Sequence, residues 1–405
     1  MSELMRSSLA GVPGCRDANA PFTETDQALA GAHAGAPLHW RQRLTMPAGL
    51  RTLLARWTHA LGRRFLSRTK QRPPAVEEVK RILVMQFHYI GDVFFATPAI
   101  AALRRRFPNA ALDALVKTRG RDVLLGNPHV NDILVFDRLC NDRTREPRTD
   151  WAALTRLARR LRGYDLLVDF TGVRASCALA ALARPRWSVG FSKSGFGFVF
   201  DRELWPVQEW PLFEKCNALV ALAGADARGL APRIWLDDAT PGGAGDVDIL
   251  LHVGAGFPLK LWPVEKFRVV AEHYRARGLR VALVGGPGDP AEVTNLSVRQ
   301  VAAWARRCRC YVGLDTGLTH IVASLGVPTV TIYGPTNPRF SFWPWPNARR
   351  VGIKLACSPG ENEEKCAACR PMVCRHHLCM RMLEPSRVIQ EIEPCLAASF
   401  TSSPS

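Results

Sequence analysis

The sequence predicts an α/β protein made of two parallel-sheet halves in tandem, preceded by a basic N-terminal extension. Three observations predict it. From Lys80 onward, apolar runs of strand length alternate with segments of helix length, the pattern of successive βα units that feed a parallel sheet covered by helices. The alternation halts in a polar, glycine-rich stretch at 225–246, with PGGAG at 241–245, and then restarts. No stretch reaches the roughly 18 apolar residues that a membrane-crossing helix needs.

Taken in order, ILVMQF (82–87), ALDALV (111–116), ILVF (133–136) and YDLLVDF (164–170) read as strands, with helices at 93–106, 151–162 and 174–183. After the linker, strands are expected in DILLHV (248–253), LRVALVGG (279–286), CRCYVGLD (308–315) and PTVTIYG (328–334), with helices at 263–277 and after Gly317. The expected units are therefore an extension over 1–77, a first domain over 78–235 and a second over 246–395. Two such halves place ligands at the carboxyl ends of their strands, in the cleft between domains.

The extension opens with a Gly/Ala/Pro-mixed stretch without periodicity, expected to be mobile. Then Leu50, Leu53, Leu54, Trp57, Leu61 and Phe65 recur at helical spacing among Arg51, Arg56, Arg63, Arg64, Arg68 and Lys70. Such a basic amphipathic helix either packs on the protein's own body or adsorbs to anionic lipid, and the sequence leaves both open. The whole chain carries 54 Lys+Arg against 36 Asp+Glu, a formal charge of +18, which suits a polyanionic partner: nucleic acid, an anionic membrane surface or a phosphorylated substrate. No interleaved aromatic and basic platform supports nucleic acid. Without a signal-peptide core, the twelve cysteines are expected to be reduced thiols of a cytosolic protein.

Three turns could carry chemistry. HYIGDVFFATP has one glycine where a dinucleotide loop has three, so Gly91 opens a tight turn and Asp92 sits at a helix start. A capping aspartate there stabilises by about 0.5–2 kcal/mol and needs no catalytic role. HVGAGFPLKLWP offers Gly254, Gly256 and Lys260, small residues and a cation suited to a diphosphate. GLDTGLTH (313–320) crowds Asp315, Thr316, Gly317 and His320 at a strand end and helix start, where free N–H groups suit phosphate and Asp315 is left for a sugar hydroxyl.

In this order, GDVFFATPAI, ALRRRFPNA, NPHVNDI, YDLLVDF, KLWP, GGPGD, GLDTGLTHIVASLGVPTVTIYGPTNP and a late CM resemble glycosyltransferase family 9, the ADP-heptose:lipopolysaccharide heptosyltransferases. The resemblance spans about residues 80–395. It implies GT-B architecture, two facing Rossmann-like domains with the acceptor side first and the nucleotide-sugar side second. It also implies an inverting transfer of heptose from ADP-heptose to a lipid A–core oligosaccharide, at the cytoplasmic face of an anionic inner membrane. By the same resemblance Asp92 is the general base beside Gly91, and Lys260 contacts the donor diphosphate. Gly256, Asp315, Thr316, Gly317, His320 and Thr336 join the donor pocket. Asp289 is the nearest match to a ribose-contacting acid, with Glu292 its substitute. No cofactor and no catalytic metal are implied.

One departure bears on the donor. Relatives carry a further helix and strand between GGPGDPAEV and TNLSVRQVAAWARRC, which here run on directly. Hence two alternatives stand beside the heptosyltransferase: a related transferase using another nucleotide sugar, and a non-catalytic membrane-associated protein retaining the fold. Cys366, Cys369, Cys374 and Cys379 form a weak candidate zinc set, against reduced thiols or a redox-labile disulfide.

Overall fold

The computed structural model describes residues 48–66, 72, 74–139, 149–205, 210–238, 240–243, 245–341, 343–360, 366, 374 and 376–398. Residues 1–47, where the extension begins with the stretch expected to be mobile, lie outside them.

Helix α1 (Ala48–Leu66) precedes the first α/β unit. There β1 (Arg81–Gln86), α2 (Ile90–Phe95), α3 (Thr97–Arg106), β2 (Ala111–Val116), α4 (Thr118–Leu124), β3 (Asp132–Val135), α5 (Trp151–Arg160), β4 (Leu166–Asp169), α6 (Arg174–Ala183), β5 (Trp187–Phe191), β6 (Arg202–Leu204) and α7 (Leu212–Ala221) follow one another. The six strands are all parallel, in the order β3-β2-β1-β4-β5-β6. β1 lies at the centre, with Val84 paired to Ala114 on one side and Val168 on the other. Helices cover both faces, which is why Ile82 to Gln86 are buried without polar alternation, whereas β3 at the edge is half exposed.

The second unit runs β7 (Ile249–His252), α8 (Val264–Arg275), β8 (Val281–Val284), α9 (Val298–Ala305), β9 (Cys310–Leu314), α10 (Gly317–Ser324), β10 (Thr329–Ile332), α11 (Pro338–Ser341), β11 (Ala348–Val351), α12 (Leu378–Arg381) and α13 (Pro385–Ala398). Its five parallel strands take the order β11-β10-β9-β7-β8. β8 is an edge, and beyond it lies only a single parallel bridge from Val284 to Val293. The chain turns at Gly285–Asp289 and enters α9 through the Ser297 cap, with no strand between.

Three strands and several helices were absent from the sequence reading. β6 has three residues, β5 holds Gly190, and β11 (ARRV) carries two arginines on an edge, so none produces a distinct apolar run. The expected linker is also less separate than its composition suggests. Ala225, Ala227 and Ile234 are buried in the first domain's core.

The domains are packed together. Ala302 and Ile321 of the second unit belong to the same buried apolar cluster as Val93, Phe94 and Phe95 of the first. Trp343 meets Phe213 with ring centroids 4.6 Å apart, and Arg299 donates to the carbonyls of Leu125 and Trp235 at 2.9 and 2.7 Å. Strand order reverses beside β1 and between β7 and β9, so both crevices open at carboxyl ends, where the turns singled out in the sequence lie.

Candidate active site

Asp92 is not a helix cap. Tyr89, extended at φ −72° and ψ 166°, is the N-cap of α2 and makes no side-chain capping bond; Asp92 is the third helical residue. Its carboxylate is 6% exposed and lies 3.8 Å from His88 Nδ1 one turn earlier. The turn is fastened from below: Phe87 N–H donates to Thr171 Oγ1 at 3.0 Å, and the buried Asp169 carboxylate accepts from Ser176 Oγ at 2.6 Å and Thr171 N–H at 2.8 Å. Burial raises the Asp169 pKa, offset in part by those bonds. An acid closing the apolar run LLVD was the missed signal for this support.

Gly91 packs directly on Gly317, the first residue of α10. A Cβ built on Gly317 would lie 2.4 Å from Gly91 N and 2.6 Å from Gly91 Cα; one built on Gly91 would lie 3.1 Å from Gly317 Cα. Only glycines allow two helix starts from different domains to approach so closely. The next residue on one side is Asp92, and on the other side the strand end at Asp315 is two residues away. The ring of Phe95 on α2 meets that of His320 on α10 at 5.2 Å.

Asp315, which the sequence suggested is left for a sugar hydroxyl, is 3% exposed and already accepts hydrogen bonds within the protein. Lys260 Nζ donates to its Oδ2 at 2.6 Å and to its carbonyl at 2.7 Å; Thr336 Oγ1 donates to Oδ2 at 2.6 Å; His320 Nε2 is 3.4 Å from Oδ1. Burial alone would raise this carboxyl's pKa, but the Lys260 charge and the bonds from His320 and Lys260 outweigh it and hold it well below the carboxylate range. An ammonium has three protons, and Asp315 takes two of those of Lys260. Thr316 is the N-cap of α10, with its hydroxyl 3.2 Å from that of Thr319.

The remaining donor-side candidates line the same edge. Gly256 is exposed, and the Tyr89 ring lies 4.0 Å from where its Cβ would be, so the loop leading to Lys260 faces the turn leading to Asp92. Asp289 folds over the end of β7: its Oδ2 accepts from Gly286 N–H at 2.7 Å and occupies the space where Gly254 would carry a Cβ. Glu292 points elsewhere, held by Arg275 at 2.6 and 2.8 Å. His252, ending β7 beside Gly254, was missed because a lone histidine closing a strand has no pattern; burial pushes its pKa down to about 4.

The cysteine segment abuts these loops. Cys379 Sγ touches the space beside Gly334, Cys366 N–H donates to Pro335 O at 3.0 Å, and His377 Nε2 lies 2.5 Å from Leu259 O. Of the candidate zinc set, Cys366, Cys374 and Cys379 are described and Cys369 is outside the described residues. Among the described residues no three His, Cys, Asp or Glu side chains are placed to hold a metal ion.

Residues 154–370, more than half of the chain, match the model of glycosyltransferase family 9 (heptosyltransferase). The chain belongs to that family. Like other family 9 proteins it is a glycosyltransferase. It is 26% identical to lipopolysaccharide heptosyltransferase 1 of Pseudomonas aeruginosa, over 79% of this chain and 99% of that protein. Among solved structures it is similar to the family 9 glycosyl transferase of Veillonella parvula, with a TM-score of 0.65 and 20% identity over 79% and 98% of the two chains. It is also similar to the Escherichia coli ADP-heptose lps heptosyltransferase II, with a TM-score of 0.62 and 21% identity over 79% and 99%. These likenesses give its two parallel-sheet domains the GT-B architecture.

Proposed function

We propose that this family 9 glycosyltransferase transfers heptose from ADP-heptose to a lipid A–core acceptor with inversion, at the cytoplasmic face of an anionic membrane. The observation that carries the reading is the Gly91–Gly317 contact, which sets Asp92 at the seam between an acceptor-side turn and the Lys260–Asp315 pair. Asp92 takes the proton of the acceptor hydroxyl as the oxygen bonds to the anomeric carbon. On the opposite face of that carbon the bond to the ADP oxygen breaks. The charge that develops there meets the third proton of Lys260 and the start of α10. Asp315, Thr336 and His320 hold Lys260 and the helix start in place before the donor arrives.

A second donor is favoured by one feature of the sequence, GGPGDPAEV running directly into TNLSVRQVAAWARRC beside Asp289, where β8 is the edge of the sheet. That reading keeps the same base and the same diphosphate contacts and changes only the nucleotide or sugar.

The test is release of ADP when the purified protein meets ADP-heptose and a panel of truncated core acceptors. Turnover on at least one acceptor, lost in Asp92→Asn, supports the reading. Turnover with another nucleotide sugar alone moves the assignment to the second donor. No turnover by the wild type, or Asp92→Asn equal to it, sinks the proposed chemistry.

A further inference from the structure

Helix α1 is docked on the first domain by the wrong face for an ordinary amphipathic helix. Its small residues face inward: a Cβ on Gly62 would lie 2.2 Å from the Phe198 ring, and Gly195 presses on the backbone of Ala55, with its own Cβ position 2.3 Å from Ala55 O. His59 Nε2 is 2.6 Å from Glu203 Oε1, Arg63 Nε is 3.5 Å from the same oxygen, and the His59 ring stands edge-on to Trp205 at 5.2 Å. The large apolar residues are left outward, with Trp57 63%, Leu61 55%, Leu53 51% and Leu54 45% exposed. At 100° per residue these four fall within one stripe about 100° wide, opposite Ala55 and Gly62.

Rotating the helix to bury the stripe would put Leu or Trp where Phe198 tolerates only glycine. The outward stripe is therefore a property of the docked helix. We propose that it is a bilayer-insertion surface, seated in the headgroup region of an anionic leaflet. The charge selects this occupant. Between Asp26 and Glu77 the sequence holds nine Lys and Arg and no acid. A second copy of the same face would oppose arginine to arginine, whereas anionic lipid neutralises Arg64 within the stripe and Arg56 beside it while Trp57 and the leucines enter the acyl boundary.

The placement serves the acceptor. Trp205 follows the last residue of β6, so it lies at the carboxyl end of a parallel sheet, the same end from which the β1 turn presents Asp92. A helix held there brings the acceptor side of the cleft to the membrane in which a lipid-anchored acceptor sits. This part rests on the lipid A–core reading above.

Full-length protein is sedimented with phosphatidylcholine vesicles and with vesicles containing about 30% phosphatidylglycerol. The wild type should bind the anionic vesicles, and Trp57→Gln with Leu61→Gln should weaken that binding about ten-fold or more. Transfer to a soluble, delipidated acceptor should be unchanged, which also reports that the variant folds. Equal binding to both vesicle types, or by wild type and variant, overturns the proposal. So does a solution dimer that the two substitutions convert to monomer, since the stripe would then join copies of the chain. Failure of ADP release on every acceptor, with vesicle binding intact, would overturn the acceptor reading alone and leave the insertion surface standing.

Discussion

Gly91 and Gly317 touch backbone to backbone across the two domains, with no side chain between them. The approach is asymmetric: a methyl on Gly317 overlaps Gly91 N at 2.4 Å, whereas one on Gly91 meets Gly317 Cα at 3.1 Å. Gly317→Ala should therefore lower kcat about 10²-fold, the effect of displacing a base by roughly an ångström, and Gly91→Ala should do less. Steady-state kinetics of both variants check the order. Equal losses, or none, would show that the contact does not set the distance between Asp92 and the donor.

Asp92→Asn separates chemistry from helix stabilisation. The substitution keeps the shape and removes the basic carboxylate, so kcat should fall by about 10²–10⁴. The charge lost from the first turn of α2 is worth about 0.3–1 kcal/mol, a shift of at most about 4 °C in Tm. Binding of ADP, measured by calorimetry, should not change.

Lys260→Met leaves the Asp315 carboxylate buried without its cation. Breaking a fully buried pair costs about 3–5 kcal/mol, but Lys260 keeps 20% of its side chain in solvent, so about 2–3 kcal/mol is expected. Urea denaturation measures it. On the proposed reading the same ammonium meets the diphosphate, so affinity for ADP should fall as well. The Lys260→Met, Asp315→Asn double variant should recover stability and not affinity.

Two groups give stability opposite ends of an acid titration. The His252 pKa is lowered from 6.5 to about 4, so as pH falls below 6.5 the unfolded chain takes a proton that the native state refuses, and stability drops until about pH 4. The Asp315 pKa is depressed from 3.8, so its contribution is complete above that value and is lost as pH falls below it. His252→Gln should flatten the first window and Asp315→Asn the second. Denaturation midpoints between pH 7 and 3 read both, and identical slopes for wild type and variants would refute the assignment.

The sheets were legible where strands are long and buried on both faces. ILVMQ, ALDALV, LLVD, CYVGL and TVTI announce themselves because a parallel interior strand has no polar face to interrupt the apolar run. The edge strands were not, since ARRV can place arginines toward solvent and a three-residue β6 is shorter than any pattern. At the site, the residue types of Asp92, Lys260 and Asp315 were readable from their turns, but their relations were not. That Lys260 already holds Asp315 depends on how two distant segments meet, which no local spacing encodes, and that Tyr89 rather than Asp92 caps α2 depends on where the chain leaves the extended conformation, which residue types alone do not fix. Helix α1 shows the converse: its apolar periodicity was plain, yet two small residues, Ala55 and Gly62, decide which way that periodicity faces.

β8 is the rim of the second domain's sheet, and the crevice lies one strand further in, between β7 and β9. The loops bearing Lys260 and Asp315 grow from that crevice, while Asp289 grows from the rim. The two parts meet at one point, where Asp289 Oδ2 fills the space beside Gly254 in the loop that leads to Lys260. On the proposed reading, remodelling the thirteen rim residues from Gly285 to Ser297 would reach the Lys260 loop through that single contact, which makes Asp289 the hinge between choice of donor and bond breaking.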